Sequence, residues 1–285
     1  MFSQISSLLK LRIGIIMMLT SLAAMVVTPG KSPSVIETLV LAFAVLISAG
    51  SAGAFNQYYE VDLDSRMKRT RNRPFVTGRF RKGPLWIVLM LVLLAIGVGS
   101  AALVLNGVTA LYIFLGAFFY AIVYTVWLKR RTSMNIVIGG ASGSFAVLAG
   151  AAAVDPSMSP VPILLALVLF FWTPSHFWSL AIAKHEDYEN AAVPMLPVVI
   201  GVRRTALAVM LNTLVLTIIS VMPFFYGMSW IYLFGAVVGS GYFIYRNYQM
   251  ICDPSPKIAM KSFFASLVQL VLLMTCAVVD VVLLG

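Results

Sequence analysis

Residues 56–74, NQYYEVDLDSRMKRTRNRP, set three acids (Glu60, Asp62, Asp64) ahead of five bases (Arg66, Lys68, Arg69, Arg71, Arg73). An apolar run, Thr38 to Phe55, leads into the stretch, and another opens at Leu85. The chain holds only ten acids, so three within five residues need a physical reason. A polar segment between two apolar runs of this length reads as a loop between membrane spans. Oxygen ligands beside a row of cations also suit a metal-bound diphosphate.

Composition supports the membrane reading. Of 285 residues, 61% are hydrophobic and 11% charged, with mean hydropathy +0.97. Soluble domains carry roughly 25% charged residues, so this surface would not solvate a globule of the same size. The net charge of +10 would suggest nucleic acid in a soluble protein. In a membrane protein it reflects basic cytoplasmic loops, and no nucleic-acid partner is expected. Cys252 falls in a basic loop and Cys276 in an apolar run, so no disulfide is expected. No convincing cleavage site follows the N-terminal charges, so the first apolar run reads as a retained helix.

A bilayer core takes about 20 apolar residues per helix. Nine runs fit: Leu11–Val27, Val35–Tyr59, Leu85–Leu105, Thr109–Leu128, Asn135–Val154, Pro160–Ala183, Thr205–Tyr226, Trp230–Tyr248 and Ile258–Leu284. The expected fold is all-α, a single polytopic bundle over residues 1–285. With nine spans, every Lys and Arg except Lys31 falls on the side of the N-terminus. The positive-inside rule places that side in the cytoplasm, here that of a bacterial inner membrane. A second acidic segment, Glu186, Asp187 and Glu189, ends the sixth run as Glu60 to Asp64 ends the second. The pair, at 56–64 and 184–189, suggests a weak internal repeat.

Asn56, Glu60 and Asp64 are spaced i, i+4, i+8 and share a helical face. An amide and two carboxylates in that array fit a hard cation, while Asp62 falls off the face. Mg²⁺ takes one or two carboxylates and fills its octahedron with water and phosphate oxygens. Lys68, Arg69, Arg73, Lys129, Arg130 and Lys184 are the candidate diphosphate ligands. Asp187 is the candidate acid on the second segment. His176 sits inside an apolar run, where an ionisable side chain is a functional candidate by default, and Pro174 beside it is expected to free backbone carbonyls. Gly139, Gly140 and Gly143 read as a close-packing face.

These segments resemble the UbiA superfamily of intramembrane prenyltransferases, and within it the protoheme IX farnesyltransferase (heme O synthase) family. The superfamily's N-x-x-x-D-x-x-x-D falls on Asn56, Glu60 and Asp64, with Glu60 where Asp is commoner. The following M-x-R-T-x-x-R-P falls on Met67, Arg69, Thr70, Arg73 and Pro74. WTPSHFW, through Trp172, His176, Phe177 and Trp178, is similar to a heme-subfamily segment. So are DYENAAVPMLPV, through Asp187, Tyr188, Pro194, Met195, Leu196 and Pro197, and YTVWLKRRTSMNIVIGG. The second acidic motif of the superfamily is not intact here and leaves Asp187 as its best acid.

The resemblance implies a reaction: farnesyl diphosphate, heme b and water give heme O and diphosphate. It implies Mg²⁺ on Asn56, Glu60 and Asp64, the bases on the phosphates, and His176 toward heme as iron ligand or propionate donor. The implied partners are farnesyl diphosphate, heme b and membrane lipid, with a downstream heme-modifying enzyme as a further candidate. Two other readings stand beside it. One is transfer to an aromatic ring acceptor, which the PSHFW segment disfavours. The other is a secondary transporter, which would place charge near the midplane rather than at one face.

Overall fold

The computed structural model describes residues 2–284, and among them it contains helices and no strand. The helices are α1 (Phe2–Leu8), α2 (Leu11–Val27), α3 (Val35–Tyr59), α4 (Val61–Arg66), α5 (Pro84–Val104), α6 (Gly107–Phe118), α7 (Asn135–Gly139), α8 (Ala141–Ala152), α9 (Pro160–Ala183), α10 (His185–Asn190), α11 (Leu196–Ile200), α12 (Val202–Val221), α13 (Trp230–Cys252) and α14 (Pro256–Leu284). α6 runs on as a π-helix, Phe119–Leu128, and α12 as a 3₁₀ turn, Met222–Tyr226.

All nine apolar runs are helical, and seven are long and apolar enough to cross a membrane on their own. α2 is shorter, at 17 residues. The second half of α13 carries Tyr242, Tyr245, Arg246, Asn247, Tyr248 and Gln249, which lower its hydropathy. Lipid does not need to solvate all of that polarity, because Asn247 points inward to Thr213 and Ser262.

Helix ends follow local chemistry. Ser34 caps α3 in a reciprocal box with Glu37, and Asn106 caps α6 through Thr109 N. Proline at the start of α5, α9 and α14 removes an N–H that would have no partner there. Inside α9, Pro174 leaves the helix unbroken. Asn212 of α12 donates to the nearby Phe171 carbonyl at 2.6 Å, satisfying backbone next to the proline.

The bundle has two sides that close on each other. α2, α3, α5 and α6 pack in sequence, as do α9, α12, α13 and α14. α8 joins them by touching α2, α6 and α9, and α2 also meets α14. Small residues set the approach. The seventh-to-eighth helix turn bends at Gly140, where an added Cβ would lie 2.8 Å from Thr173. At Gly150 it would lie 1.9 Å from the Ser21 carbonyl oxygen of α2. Interhelical hydroxyls and amides link α9, α12, α13 and α14: Ser175, Thr213, Asn247, Ser262 and Ser179 form one connected chain.

The two acidic segments have the same local shape. α3 stops at Tyr59 and Glu60 takes φ −94°, ψ 21° before the six-residue α4. α9 stops at Ala183 and Lys184 takes φ −122°, ψ 33° before the six-residue α10. α4 and α10 meet through Leu63, Met67, Ala181, Tyr188, Ala191, Val193 and Met195.

Gly150→Val is expected to lower the unfolding temperature in detergent, because Cβ meets backbone that cannot rotate away, a cost of at least ~1–3 kcal/mol. Gly99→Ala meets nothing within 4 Å and is expected to be neutral or stabilising. Equal effects from the two would refute the close contact of α8 with α2.

Candidate active site

The site is built where α3, the end of the π-helix, the α1–α2 turn and the α4–α5 loop converge. Asn56, Glu60 and Asp64 are 2%, 0% and 3% exposed, although they lie at the end of a helix beside charged loops. The i→i+4 backbone bonds from Glu60 N to Asn56 O and from Asp64 N to Glu60 O persist across the bend. The expected shared face therefore forms despite the break at Glu60. Asp62 falls outside it and is exposed.

Each of the three has a basic partner. Lys10 Nζ donates to Asn56 Oδ1 at 2.5 Å. Lys129 Nζ lies 2.5 Å from Glu60 Oε2. Arg73 Nη1 lies 2.6 Å from Asp64 Oδ2. Buried carboxylates need such partners, since an uncompensated buried charge is strongly unfavourable. Asn56 Nδ2 also donates to Thr125 Oγ1 at 3.0 Å, and Thr70 Oγ1 to the Asp64 carbonyl.

The π-helix explains how one turn serves several of these contacts. Its backbone bond from Lys129 N to Tyr124 O spans five residues, and the Thr125 hydroxyl donates across the same interval to Tyr120 O. Tyr120 and Thr125 therefore share a face, as do Tyr124 and Lys129. The Tyr120 hydroxyl accepts from Lys10 Nζ at 2.7 Å, and the Lys129 ammonium lies 5.6 Å from the Tyr124 ring centroid.

Lys10, Tyr120, Tyr124 and Thr125 are members of the site that the spacing of charges does not reveal. Lys10 stands 46 residues from its partner Asn56. Its one local signal is backbone: Lys10 adopts φ 48°, ψ 43°, a left-handed conformation that a non-glycine residue holds at a cost of order 1–3 kcal/mol. Burial pulls its ammonium well below the ordinary lysine range, with the Arg73 cation adding to the effect.

The other candidates lie further out. Arg130 makes a two-pronged pair with Asp62, both bonds 2.7 Å, on an exposed flank. That pairing holds the Asp62 carboxyl below its usual range and raises the guanidinium. Asp187 is buried and accepts from the Lys68 backbone N–H at 3.1 Å, tying α10 to the loop after α4. The Lys68 ammonium reaches exposed Glu186 at 3.4 Å, a weak surface pair. Arg69 and Lys184 are exposed at the same end of the bundle.

His176 lies deeper, on the faces of α9 and α14. Its ring is stacked 4.2 Å from Trp172 and lies 4.2 Å from Phe263. Its Nδ1 is 2.6 Å from Ser266 Oγ. The Ser266 hydroxyl proton goes to the Phe263 carbonyl, also at 2.6 Å. Ser266 and the Phe263 carbonyl thus hold the Nδ1 edge of the imidazole.

The donor set fits a hard divalent cation. Among the described residues no three His, Cys, Asp or Glu gather as a ready metal site. Mg²⁺ does not need three, because it commonly keeps one or two carboxylates and takes phosphate oxygens. Glu60 Oε1 is buried and has no hydrogen-bond partner in the protein, while Oε2 holds Lys129. A carboxylate oxygen kept dry and undonated is suited to a cation.

The profile of the UbiA prenyltransferase family matches residues 17–268. The chain is 52% identical over 281 residues to protoheme IX farnesyltransferase 2 of Paramagnetospirillum magneticum, covering 99% of this chain and 98% of that one. A digeranylgeranylglyceryl phosphate synthase structure superposes with TM-score 0.82 at 16% identity, over 99% and 98% of the two chains. A UbiA homolog from Archaeoglobus fulgidus bound to DMAPP and Mg²⁺ superposes with TM-score 0.71 at 18% identity, over 99% and 100%.

Lys129→Met should destabilise the protein by ~3–5 kcal/mol, because it strands the Glu60 carboxylate in a dry site. Glu60→Gln in the same chain should recover most of that loss. Thermal unfolding of the two single variants and the double variant measures the coupling, and additive effects would show that the pair is not an energetic unit.

Proposed function

The chain belongs to the UbiA prenyltransferase family, and from that premise we infer that it transfers a farnesyl group from farnesyl diphosphate to the vinyl group of heme b, giving heme O and diphosphate. It is a multi-pass intramembrane prenyltransferase. The observation that carries the site assignment is Glu60: fully buried, with one oxygen on Lys129 and the other without a donor.

Asn56, Glu60 and Asp64 would hold Mg²⁺ together with the diphosphate. When bound, Mg²⁺ supplies a Lewis acid that draws electron density from the diphosphate and eases departure of the allylic carbon. Lys129 and Arg73 flank the carboxylates and are placed to receive the negative charge of the leaving diphosphate. Lys10 adds a third basic side chain from the α1–α2 turn. Exposed Arg69, Lys68 and Lys184 attract the substrate's phosphates from the aqueous side. Arg130, paired with Asp62, ties the exit of the π-helix to α4 and so fixes where Lys129 points. Asp187 anchors the loop bearing Lys68 and Arg69.

Deeper in the bundle the environment is apolar, which keeps water from an allylic cation. The vinyl group of heme supplies the electron pair for the new carbon–carbon bond. Water adds to the resulting cation and releases a proton, which gives the hydroxyl of the product. His176 is assigned to heme. Its imidazole would serve heme as an iron ligand or as a donor to a propionate. The charged end of the bundle, with its loops and active site, faces the cytoplasm, in a bacterial inner membrane. The acidic ends at 56–64 and 184–189, with their matching breaks, are two copies of one device within a single domain. A downstream heme-modifying enzyme is the natural recipient of so apolar a product.

Purified protein incubated with heme b, farnesyl diphosphate and Mg²⁺ should yield a farnesylated heme by mass. Asn56→Ala and Asp64→Ala should each cut the yield by at least ~10²-fold while the protein still inserts and folds. Near-normal yield in both would remove the metal-site assignment. His176→Ala should weaken heme binding in an absorbance titration, and Ser266→Ala should shift the heme spectrum by freeing the imidazole from its hydrogen-bond partner. If neither variant changes the titration, heme binds elsewhere.

A further inference from the structure

Lys10 stands where another residue would fit with less strain. Its backbone takes φ 48°, ψ 43° between α1 and α2, a left-handed conformation that glycine holds without a steric penalty. The turn is pinned from α3. Gln57 Nε2 donates to the Ser7 carbonyl at 2.6 Å and to the Leu8 carbonyl at 3.2 Å. At Gly53 an added Cβ would lie 3.3 Å from both the Leu9 carbonyl oxygen and Lys10 Cβ. The backbone is therefore held in place, and what lysine adds over glycine is its side chain.

That side chain ends inside the ligand set. Its amine donates to Asn56 Oδ1 at 2.5 Å and to the Tyr120 hydroxyl at 2.7 Å. The charged neighbours that act on it are Arg73, Glu60, Lys129 and Asp64, so it faces both carboxylates and both of their partners. Asn56 is 2% exposed, and its Nδ2 is committed to Thr125 Oγ1. Oδ1 is then the one ligand atom the amide can offer, and Lys10 is already on it. Glu60 differs, because its Oε1 has no donor.

We propose that Lys10 is an exchange residue. In the metal-free site its amine fills Asn56 Oδ1; when metal and diphosphate enter, it yields that oxygen to the metal and takes up a diphosphate oxygen. The proposal rests on the metal–diphosphate reading of this site. A flexible four-carbon stem lets the amine move while the pinned turn stays still. Metal alone would leave the displaced amine with one partner fewer in a dry site, whereas metal arriving with diphosphate supplies the replacement. Lys10 thus couples the two ligands, so that each binds better with the other present.

The test uses the full chain in detergent, with Mn²⁺ followed by paramagnetic resonance and inorganic diphosphate as the anion. Wild type should bind Mn²⁺ at least ~10-fold more tightly with diphosphate than without it. Lys10→Gly should tighten Mn²⁺ alone by ~10-fold, the equivalent of one hydrogen bond that no longer has to be displaced. The same variant should weaken diphosphate binding in the presence of Mn²⁺ by ~10-fold or more. A lysine with only a structural role would not move the two affinities in opposite directions. Lys10→Ala should reproduce both shifts but unfold roughly 2–4 °C below Lys10→Gly, since the two differ only in how they tolerate the left-handed turn. Mn²⁺ affinity that stays the same or falls in Lys10→Gly would overturn the exchange, and equal unfolding temperatures would overturn the pinned turn. Wild type that binds no Mn²⁺ even with diphosphate would remove the metal site itself, and the exchange with it.

Discussion

Two carboxylates, Glu60 and Asp64, are buried at the end of a membrane helix, and the surrounding structure depends on how their charge is met. Burial without a partner costs several kcal/mol per ion. The fold meets the cost with cations from two separate segments, Lys129 from the end of the π-helix and Arg73 from the α4–α5 loop. Those bonds set where the loops lie. The α1–α2 turn joins them by holding Lys10 in a strained backbone conformation against Asn56 and Tyr120. Strain of this kind persists where several contacts determine it together.

The same pressure explains the paired helix breaks. A straight helix would carry Glu60 and Asp64 out toward water. The bends at Glu60 and Lys184 turn α4 and α10 across the end of the bundle, where Leu63, Met67, Tyr188 and Met195 form a small apolar cluster. The backbone bond from Lys68 to Asp187 ties α10 to the loop that follows α4. The bundle beneath supplies the dry interior. Its second half joins large apolar clusters to a chain of buried hydroxyls and amides between α9, α12, α13 and α14. His176 sits at the edge of that chain, oriented by Ser266.

The apolar runs and their turn residues were legible because lipid demands about 20 apolar residues per span, and that demand is local in sequence. The acidic face was legible for a similar reason: Asn56, Glu60 and Asp64 are one or two turns apart, and i→i+4 backbone bonds carry the face across the break at Glu60. Arg130 illustrates the opposite. Its position beside Lys129 gave both residues the same expected role, yet the turn at the end of the π-helix points one at Glu60 and the other at exposed Asp62. Lys10, Tyr120 and Thr125 gave no sign in sequence, because each joins the site through packing of distant segments.

Sequence alone determined that this chain is an all-helical membrane protein, that Asn56, Glu60 and Asp64 recur at one-turn spacing, and which family it resembles. These follow from composition, periodicity and short-range motifs, all fixed by neighbouring residues. Tertiary structure decided which base meets which acid, that the two acidic segments touch, and that Ser266 meets the ring of His176. Some of these contacts are local, such as Arg73 with Asp64, but others join residues 46 to 119 positions apart, and only the packing of the helices fixes such distances.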